Sequence, residues 1–371
     1  MNTRVKAQEE TNKPIFLSSD NFTPLHKTPW AGVEIATHYK AHLKLSKEEN
    51  KIGESWEVSC DQSQPSRVIE TQETLLSWVE KNKNLLEIPP RRHFDLLVKL
   101  LDAAYPLSLQ VHPQDDDPFL TSNECGKHES WFILKAKPGS GLYLGFKEGV
   151  NKKSLEKVLL SQDDLEPLMN FVEVQEGDYF DIAPGIVHGI GAGVTLLEPQ
   201  RVCFGKSGKT YRLWDWNRRY DSSGDLDLQQ GNPRQLHIKE CLRLIDPQVQ
   251  SGSHFISQVK KKPDQMKIGD GGCVESYLAN DFYQLSIISM EYGKKQLSLY
   301  LDKGYLLGCL LSGSMDISSK HYCEHVHTGR SFVLSKRVTP LAITAHEDIK
   351  LAVIRPTFTK IYWDGIAPSL D

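Results

Sequence analysis

The chain has 371 residues, of which 39% are apolar and 25% charged, with a formal net charge of −4. These values exclude a disordered or fibrous chain, and the acidic balance argues against a nucleic-acid footprint; the length exceeds what one core usually supports. A small anionic substrate stays compatible, because its site needs only a local positive patch.

Residues 1–23 are polar and are expected to form a flexible N-terminus. The first twenty lack the apolar core of a signal peptide, and no later run reaches transmembrane length, so a cytoplasmic protein with no membrane contact is expected. Seven scattered cysteines (Cys60, Cys125, Cys203, Cys241, Cys273, Cys309 and Cys323) show no short pairing and read as free thiols. The segment IGESWEVS (52–59) alternates Trp56 and Val58 against Glu57 and Ser59, which is strand-like; Glu57 reads equally well as a surface glutamate or as part of a site. Leu75, Leu76, Val79, Leu85 and Leu86 are spaced for one helical face, and Pro89-Pro90 stops that helix. The near-continuous apolar run 94–101 reads as a buried strand.

That run leads into PLSLQVHP (106–113), the stretch around which the rest is organised. In a strand, Gln110 and His112 are two apart and point to one side, which is half of a divalent-metal site. In KHESW (127–131), a second strand, Lys127, Glu129 and Trp131 share a face, whereas His128 points away. A third stretch, GDYFDIAPGIVHGI (177–190), has a strand, a Pro184-Gly185 turn and then His188, which the turn can aim into the same cavity. One amide oxygen, one carboxylate and two imidazoles suit Zn²⁺ or another first-row divalent ion, one per chain.

Short strands with evenly spaced Gly and Pro turns continue to about residue 204, with one short helix over 154–169, and point to a jelly roll. Residues 237–245 and their flanks read as helix and linker. GRSFVLSK (329–336) lies over GDYFDIAP (177–184) without a gap, and the match extends through Leu341-Ala342-Ile343. This repeat implies a second jelly roll in which Pro340 stands where His188 stands in the first, so the second copy has lost its ligand. The expected division is a metal-binding cupin domain over 24–205, a helical linker over 206–275 and a second cupin-like domain over 276–371. The fold class is therefore mainly β, a double jelly roll with a few helices.

The segments IGESWEVS (52–59), KLLDAAYPLSLQVHP (99–113), GKHESWFIL (126–134), GDYFDIAPGIVHGIGAG (177–193), TYRLWDWNR (210–218) and GNPRQLHI (231–238) together resemble the type I mannose-6-phosphate isomerases, in that family's order. The resemblance implies interconversion of mannose 6-phosphate and fructose 6-phosphate through a cis-enediol, with a sugar phosphate as the small-molecule partner. It places the metal ligands on Gln110, His112, Glu129 and His188 and the catalytic arginine on Arg212. Taken alone, Arg212 reads as the partner of a buried carboxylate. Lys127, whose pKa a nearby dication would depress, and Glu198, a carboxylate ending an apolar strand, are the base candidates. Ser108, on the face of Gln110 and His112, and Arg218 are candidates for the phosphate. The spacing of Glu129 and His188 leaves no room for the helical domain of the family's long forms, so the chain resembles the compact bacterial form. Two other readings are a metal-dependent cupin of another class, such as a dioxygenase, and a non-catalytic sugar-binding cupin.

Overall fold

A computed structural model of the chain describes residues 13–363 apart from 162, 269–271, 278–279, 294–295 and 321. The strands of the first half are β1 (Ile15–Leu17), β2 (Glu54–Val58), β3 (Leu96–Ala103), β4 (Leu109–Val111), β5 (Glu124–Cys125), β6 (His128–Ala136), β7 (Gly141–Phe146), β8 (Met169–Glu173), β9 (Tyr179–Ile182), β10 (His188–Ile190), β11 (Val194–Arg201), β12 (Ser207–Gly208), β13 (Tyr211–Trp214) and β14 (Lys260–Lys261). The second half contributes β15 (Pro263–Ile268), β16 (Gly272–Tyr277), β17 (Tyr283–Met290), β18 (Leu297–Leu301), β19 (Tyr305–Ser312), β20 (Ser314–Ser319), β21 (Tyr322–His327), β22 (Ser331–Ser335), β23 (Leu341–Ala345), β24 (Ile349–Pro356) and β25 (Ile361–Trp363). Four α-helices, α1 (Leu75–Asn82), α2 (Lys152–Ser161), α3 (Ile238–Leu244) and α4 (Gly252–Val259), complete the described elements used below.

Two jelly rolls result. The first faces a sheet of order β14-β9-β6-β11-β3-β2 against one of order β13-β4-β10-β7-β8. The second faces β1-β22-β19-β24-β17-β16-β15 against β21-β20-β23-β18-β25. The repeat read from the sequence is visible in these orders, since β9-β6-β11-β3 is matched by β22-β19-β24-β17. Glu129 lies opposite Ile182, and the corresponding pair in the second roll is Leu306 opposite Leu334. An apolar leucine therefore occupies the carboxylate's place, as Pro340 occupies that of His188, and the second roll is filled with hydrophobic side chains.

β3 shows why its sequence lacks alternation. Leu96, Val98 and Leu100 pack into the core shared with the second roll, while Leu101 and Ala103 pack inside the first. A strand buried on both faces favours a near-continuous apolar run, and its two charged residues, Lys99 and Asp102, are buried with partners. Thr74 caps α1 by accepting from Ser77 N, and a single 3-10 turn (Lys83–Leu85) extends it, as the apolar spacing predicts. The helix expected over 154–169 is shorter: α2 ends at Ser161, Pro167 sits in a 3-10 turn, and Met169 begins β8. Proline has no N–H to continue a helix through that point.

Three further expectations are corrected. Residues 15–17 are not a frayed tail but an edge strand, β1, paired with β22 of the far roll; residues 1–12 lie outside the described residues. The first roll does not stop at residue 205, because β13 pairs with β4. The segment 206–275 is not mainly a linker: α3 and α4 pack on the first roll, and β15 and β16 belong to the second. Glu57, one of whose readings was a surface residue, is 3% exposed, and both of its carboxylate oxygens lie 2.7–2.8 Å from Lys40 Nζ. Lys40 also donates to Gly329 O (2.8 Å), and Ser331 donates to Glu57 Oε2 (2.6 Å), so this buried cluster ties the two rolls together. Gly329 has φ of +83°, and a Cβ there would sit 1.6 Å from Tyr39 O, so only glycine allows the approach.

Candidate metal centre and surrounding site

β4, β10 and β13 lie side by side, and their register assembles the site. Gln110 is opposite both His188 and Arg212, so the three share one sheet face, and alternation adds Ser108 and His112. β6 supplies Glu129 from the facing sheet. The side chains of His112, Glu129 and His188 converge: Nε2 of His112 is 3.1 Å from Glu129 Oε2, and Nε2 of His188 is 3.2 Å from Glu129 Oε1. All three residues are at most 1% exposed.

The remaining ring nitrogens explain the orientation. His112 Nδ1 lies 3.1 Å from Lys209 O and His188 Nδ1 lies 2.9 Å from Ile186 O. A carbonyl accepts only from N–H, so each ring carries a proton on Nδ1 and turns its Nε2 inward. Burial, aided by Lys127, pushes His112 down to about 3, which keeps that ring neutral. Nε2 of both histidines and Oε1 of Glu129 are buried and lack a hydrogen-bond partner among the described residues. Three ligand atoms without a hydrogen-bond partner among the described residues, from side chains that converge within 4.8 Å, fit a divalent cation. Gln110 stands beside this trio by register.

Around the trio lies a buried charge network. Lys127 Nζ is 3.1 Å from Glu129 Oε2. Burial pulls its ammonium down, but Glu129, Glu198 and Glu54 outweigh burial and hold it above the ordinary lysine range. The depression expected from a dication is therefore not a property of the protein groups themselves. Glu198 accepts from Trp131 Nε1 (3.0 Å) and from Gln200 Nε2. Burial and then the Glu129 charge push Glu198 up to about 8. Gln200 also donates to Glu129 Oε2 (3.3 Å), bridging the two carboxylates. Gln200 was not singled out in the sequence, although it is two residues from Glu198 and alternation puts it on the same face. Lys99 and Glu54 complete the network, 3.5 Å apart, with Lys99 4.0 Å above the Trp56 ring.

Arg212 has no carboxylate ion-pair partner among the described residues. Its Nε donates to Ser108 Oγ (3.3 Å) and its Nη1 to Gln235 O (3.0 Å), so the buried-carboxylate reading fails. Burial and Arg234 draw Arg212 down to about 10, still charged at neutral pH. Arg218 is committed elsewhere: its Nη2 is 2.7 Å from Asp215 Oδ1, where Arg234 also binds in a two-pronged pair. Two guanidiniums on one carboxylate, with Arg212 nearby, leave the local excess of positive charge that an anionic substrate needs. His128 turns outward to Asp181 (2.9 Å), as alternation predicts.

Comparison with known proteins bears on this arrangement. The family model for the catalytic domain of type I phosphomannose isomerase matches residues 23–126. Mannose-6-phosphate isomerase ManA of Bacillus subtilis (strain 168) is 30% identical over 241 residues, covering 64% of this chain and 69% of that protein. The crystal structure of the mannose 6-phosphate isomerase from Bacillus subtilis superposes with a TM-score of 0.73 at 22% identity, over 92% of this chain and 99% of the other. A mannose 6-phosphate isomerase crystallised with zinc and yttrium gives 0.64 at 14% identity, over 92% and 98% respectively; both likenesses speak to the fold. On the strength of the sequence relationship to ManA and the matching catalytic-domain model, the chain belongs to the type I phosphomannose isomerase family.

Proposed function

We propose that the chain interconverts mannose 6-phosphate and fructose 6-phosphate through a cis-enediol, with His112, Glu129, His188 and Gln110 holding one Zn²⁺. The observation that carries this is the set of three buried ligand atoms without a hydrogen-bond partner among the described residues, two from the sheet face that also presents Arg212 and one from the facing sheet. The donor set of two imidazoles, a carboxylate and an amide suits zinc, which the related crystallised isomerase bound. When bound, such an ion polarises sugar oxygens as a Lewis acid.

The protein's own groups divide the remaining work. Isomerisation moves a proton between adjacent carbons, so it needs a group able to gain and lose one near neutral pH. Glu198, lifted to about 8 at its carboxyl, meets that condition better than Lys127, which its carboxylate neighbours keep protonated. In this reading Lys127 is a charge donor that balances Glu129 and hydrogen-bonds substrate oxygen. Arg212 places a fixed guanidinium where negative oxygen develops, and Ser108 Oγ beside it offers a hydroxyl to the sugar or its phosphate. Arg218 contributes field rather than a direct contact, because Asp215 occupies its donors. The cytoplasm is the proposed compartment.

A coupled assay of mannose 6-phosphate conversion, run on metal-loaded protein and again after chelation, tests the proposal. Turnover that chelation abolishes and added metal restores is expected. Oxygen uptake without isomerase turnover, or no turnover in the metal-loaded protein, would overturn it.

A further inference from the structure

Outside the metal site, the fold brings together two thiols that lie 78 positions apart in the sequence. β5 and β12 form a two-stranded parallel ladder with Cys125 opposite Gly208, which folds the segment 201–208 back over β5. Cys203 N lies 3.1 Å from Cys125 Sγ, and the two sulfurs and a carboxylate oxygen of Asp115 all lie within 4.8 Å of one another. Cys125 is 2% exposed, whereas Cys203 is half-buried and reachable from solvent.

The surroundings suit thiol chemistry better than a cation. Asp115 is already engaged by the Arg201 guanidinium and by Gly126 N (3.0 Å), so its charge is answered by protein donors. Arg201 stands beside Cys203, and a fixed positive charge at that place opposes a metal ion while favouring a thiolate. The hydrogen bond from Cys125, joined by Arg201, holds the Cys203 thiol below its ordinary range against burial and Asp115, while the same hydrogen bond and burial hold Cys125 above its own. The pair is thus polarised: one half-buried sulfur able to attack, one buried sulfur able to resolve.

We propose that Cys125 and Cys203 are a reversible dithiol–disulfide pair that responds to peroxide and lowers turnover at the adjacent site. The Cys203 thiol gives its proton to solvent, its thiolate attacks one oxygen of hydrogen peroxide, the O–O bond breaks, and the hydroxide that leaves takes up that proton as water, giving the sulfenic acid. Cys125 sulfur then attacks Cys203 sulfur, the S–O bond breaks, and the departing oxygen leaves as water with the Cys125 proton. Two thiols are oxidised by two electrons and the peroxide is reduced to two waters; a small dithiol reverses the bond by exchange.

The bond couples to chemistry through the chain. Cys125 precedes Lys127 by two residues and Glu129 by four, and Cys203 follows Gln200 by three. A disulfide requires the sulfurs to close from within 4.8 Å to about 2.05 Å at a fixed torsion, so the bond pins together the two segments that carry these groups. Displacements on the order of 1 Å in a positioned site cost up to about a hundredfold in rate, and a loss of about tenfold is expected here.

The test uses the full-length, metal-loaded protein, whose turnover is first established in the reduced state, so that failure of the isomerase assignment shows before any oxidation. Stoichiometric hydrogen peroxide is added, and peptides are mapped by mass spectrometry without reduction. Expected are a Cys125–Cys203 crosslink, a roughly tenfold fall in turnover with metal content unchanged, and recovery with dithiothreitol. Cys203→Ser should keep reduced-state turnover and lose the peroxide response, and Cys125→Ser should stop at a Cys203 sulfenic acid that dimedone traps. No crosslink while the exposed Cys323 is oxidised, or a crosslink that leaves turnover unchanged, would overturn the proposal.

Discussion

Lys40→Met removes the cation from the cluster that joins the two rolls. Lys40 is 0% exposed and contacts both oxygens of Glu57 and the carbonyl of Gly329 across the interface. Methionine fills the same space but leaves the Glu57 carboxylate buried with only Ser55 and Ser331 hydroxyls to answer it. Removing one member of a buried ion pair costs about 3–5 kcal/mol. Unfolding entropy near 60 °C is roughly 2.1 cal/mol/K per residue, or about 0.8 kcal/mol/K for 371 residues melting as a unit, so Tm should fall by about 4–6 °C. Differential scanning calorimetry measures this, and a drop below about 1 °C would refute the assignment of the pair as a clasp. Lys40→Met combined with Glu57→Leu should recover part of the loss, because the stranded charge is gone.

His188→Ala should release the metal, as checked by elemental analysis after dialysis, and full retention would remove His188 from the ligand set. Arg212→Ala should fold and keep its metal while losing most turnover, since its guanidinium serves no carboxylate; an unchanged kcat in the coupled assay would exclude it from the mechanism. Chelation should lower Tm as well as turnover, because a ligand at about a thousand times its Kd stabilises by about 4 kcal/mol. Glu198 has its carboxyl raised from 4.5 to about 8 in the folded chain. A raised folded value favours the protonated folded state, so its stabilising contribution is full below 4.5 and is lost as pH rises through 8. In metal-free protein, Glu198→Gln should therefore gain stability relative to the parent as pH climbs between those values, and urea melts showing a pH-independent difference would contradict this.

Much of the site could be read from strand alternation alone. Gln110 two residues before His112, Glu129 in a strand and His188 after a Pro-Gly turn were enough to propose a cluster, and the fold brings the last three within contact. Alternation also separated His128 from Glu129 correctly. What it could not supply was depth and partner choice. Glu57 and Lys40 look like surface residues locally, and only the far roll, through Gly329 and Ser331, makes them interior. Arg218 and Arg212 are only six residues apart, yet Asp215 claims the first and leaves the second with neutral acceptors. Gln200 escaped notice because a single amide in an apolar strand gives no signal until its two carboxylate neighbours are known. The start of the chain hides its structure for a related reason: three residues too short to form a stable strand alone become one by adding to an existing edge.

That added strand has a practical consequence. Because 15–17 is laced onto the opposite roll, severing the polypeptide near its midpoint would not yield two self-sufficient halves. The C-terminal fragment would carry a naked β22 flank hungry for a substitute, and aggregation rather than an isolated metal-free lobe should be the outcome of expressing it.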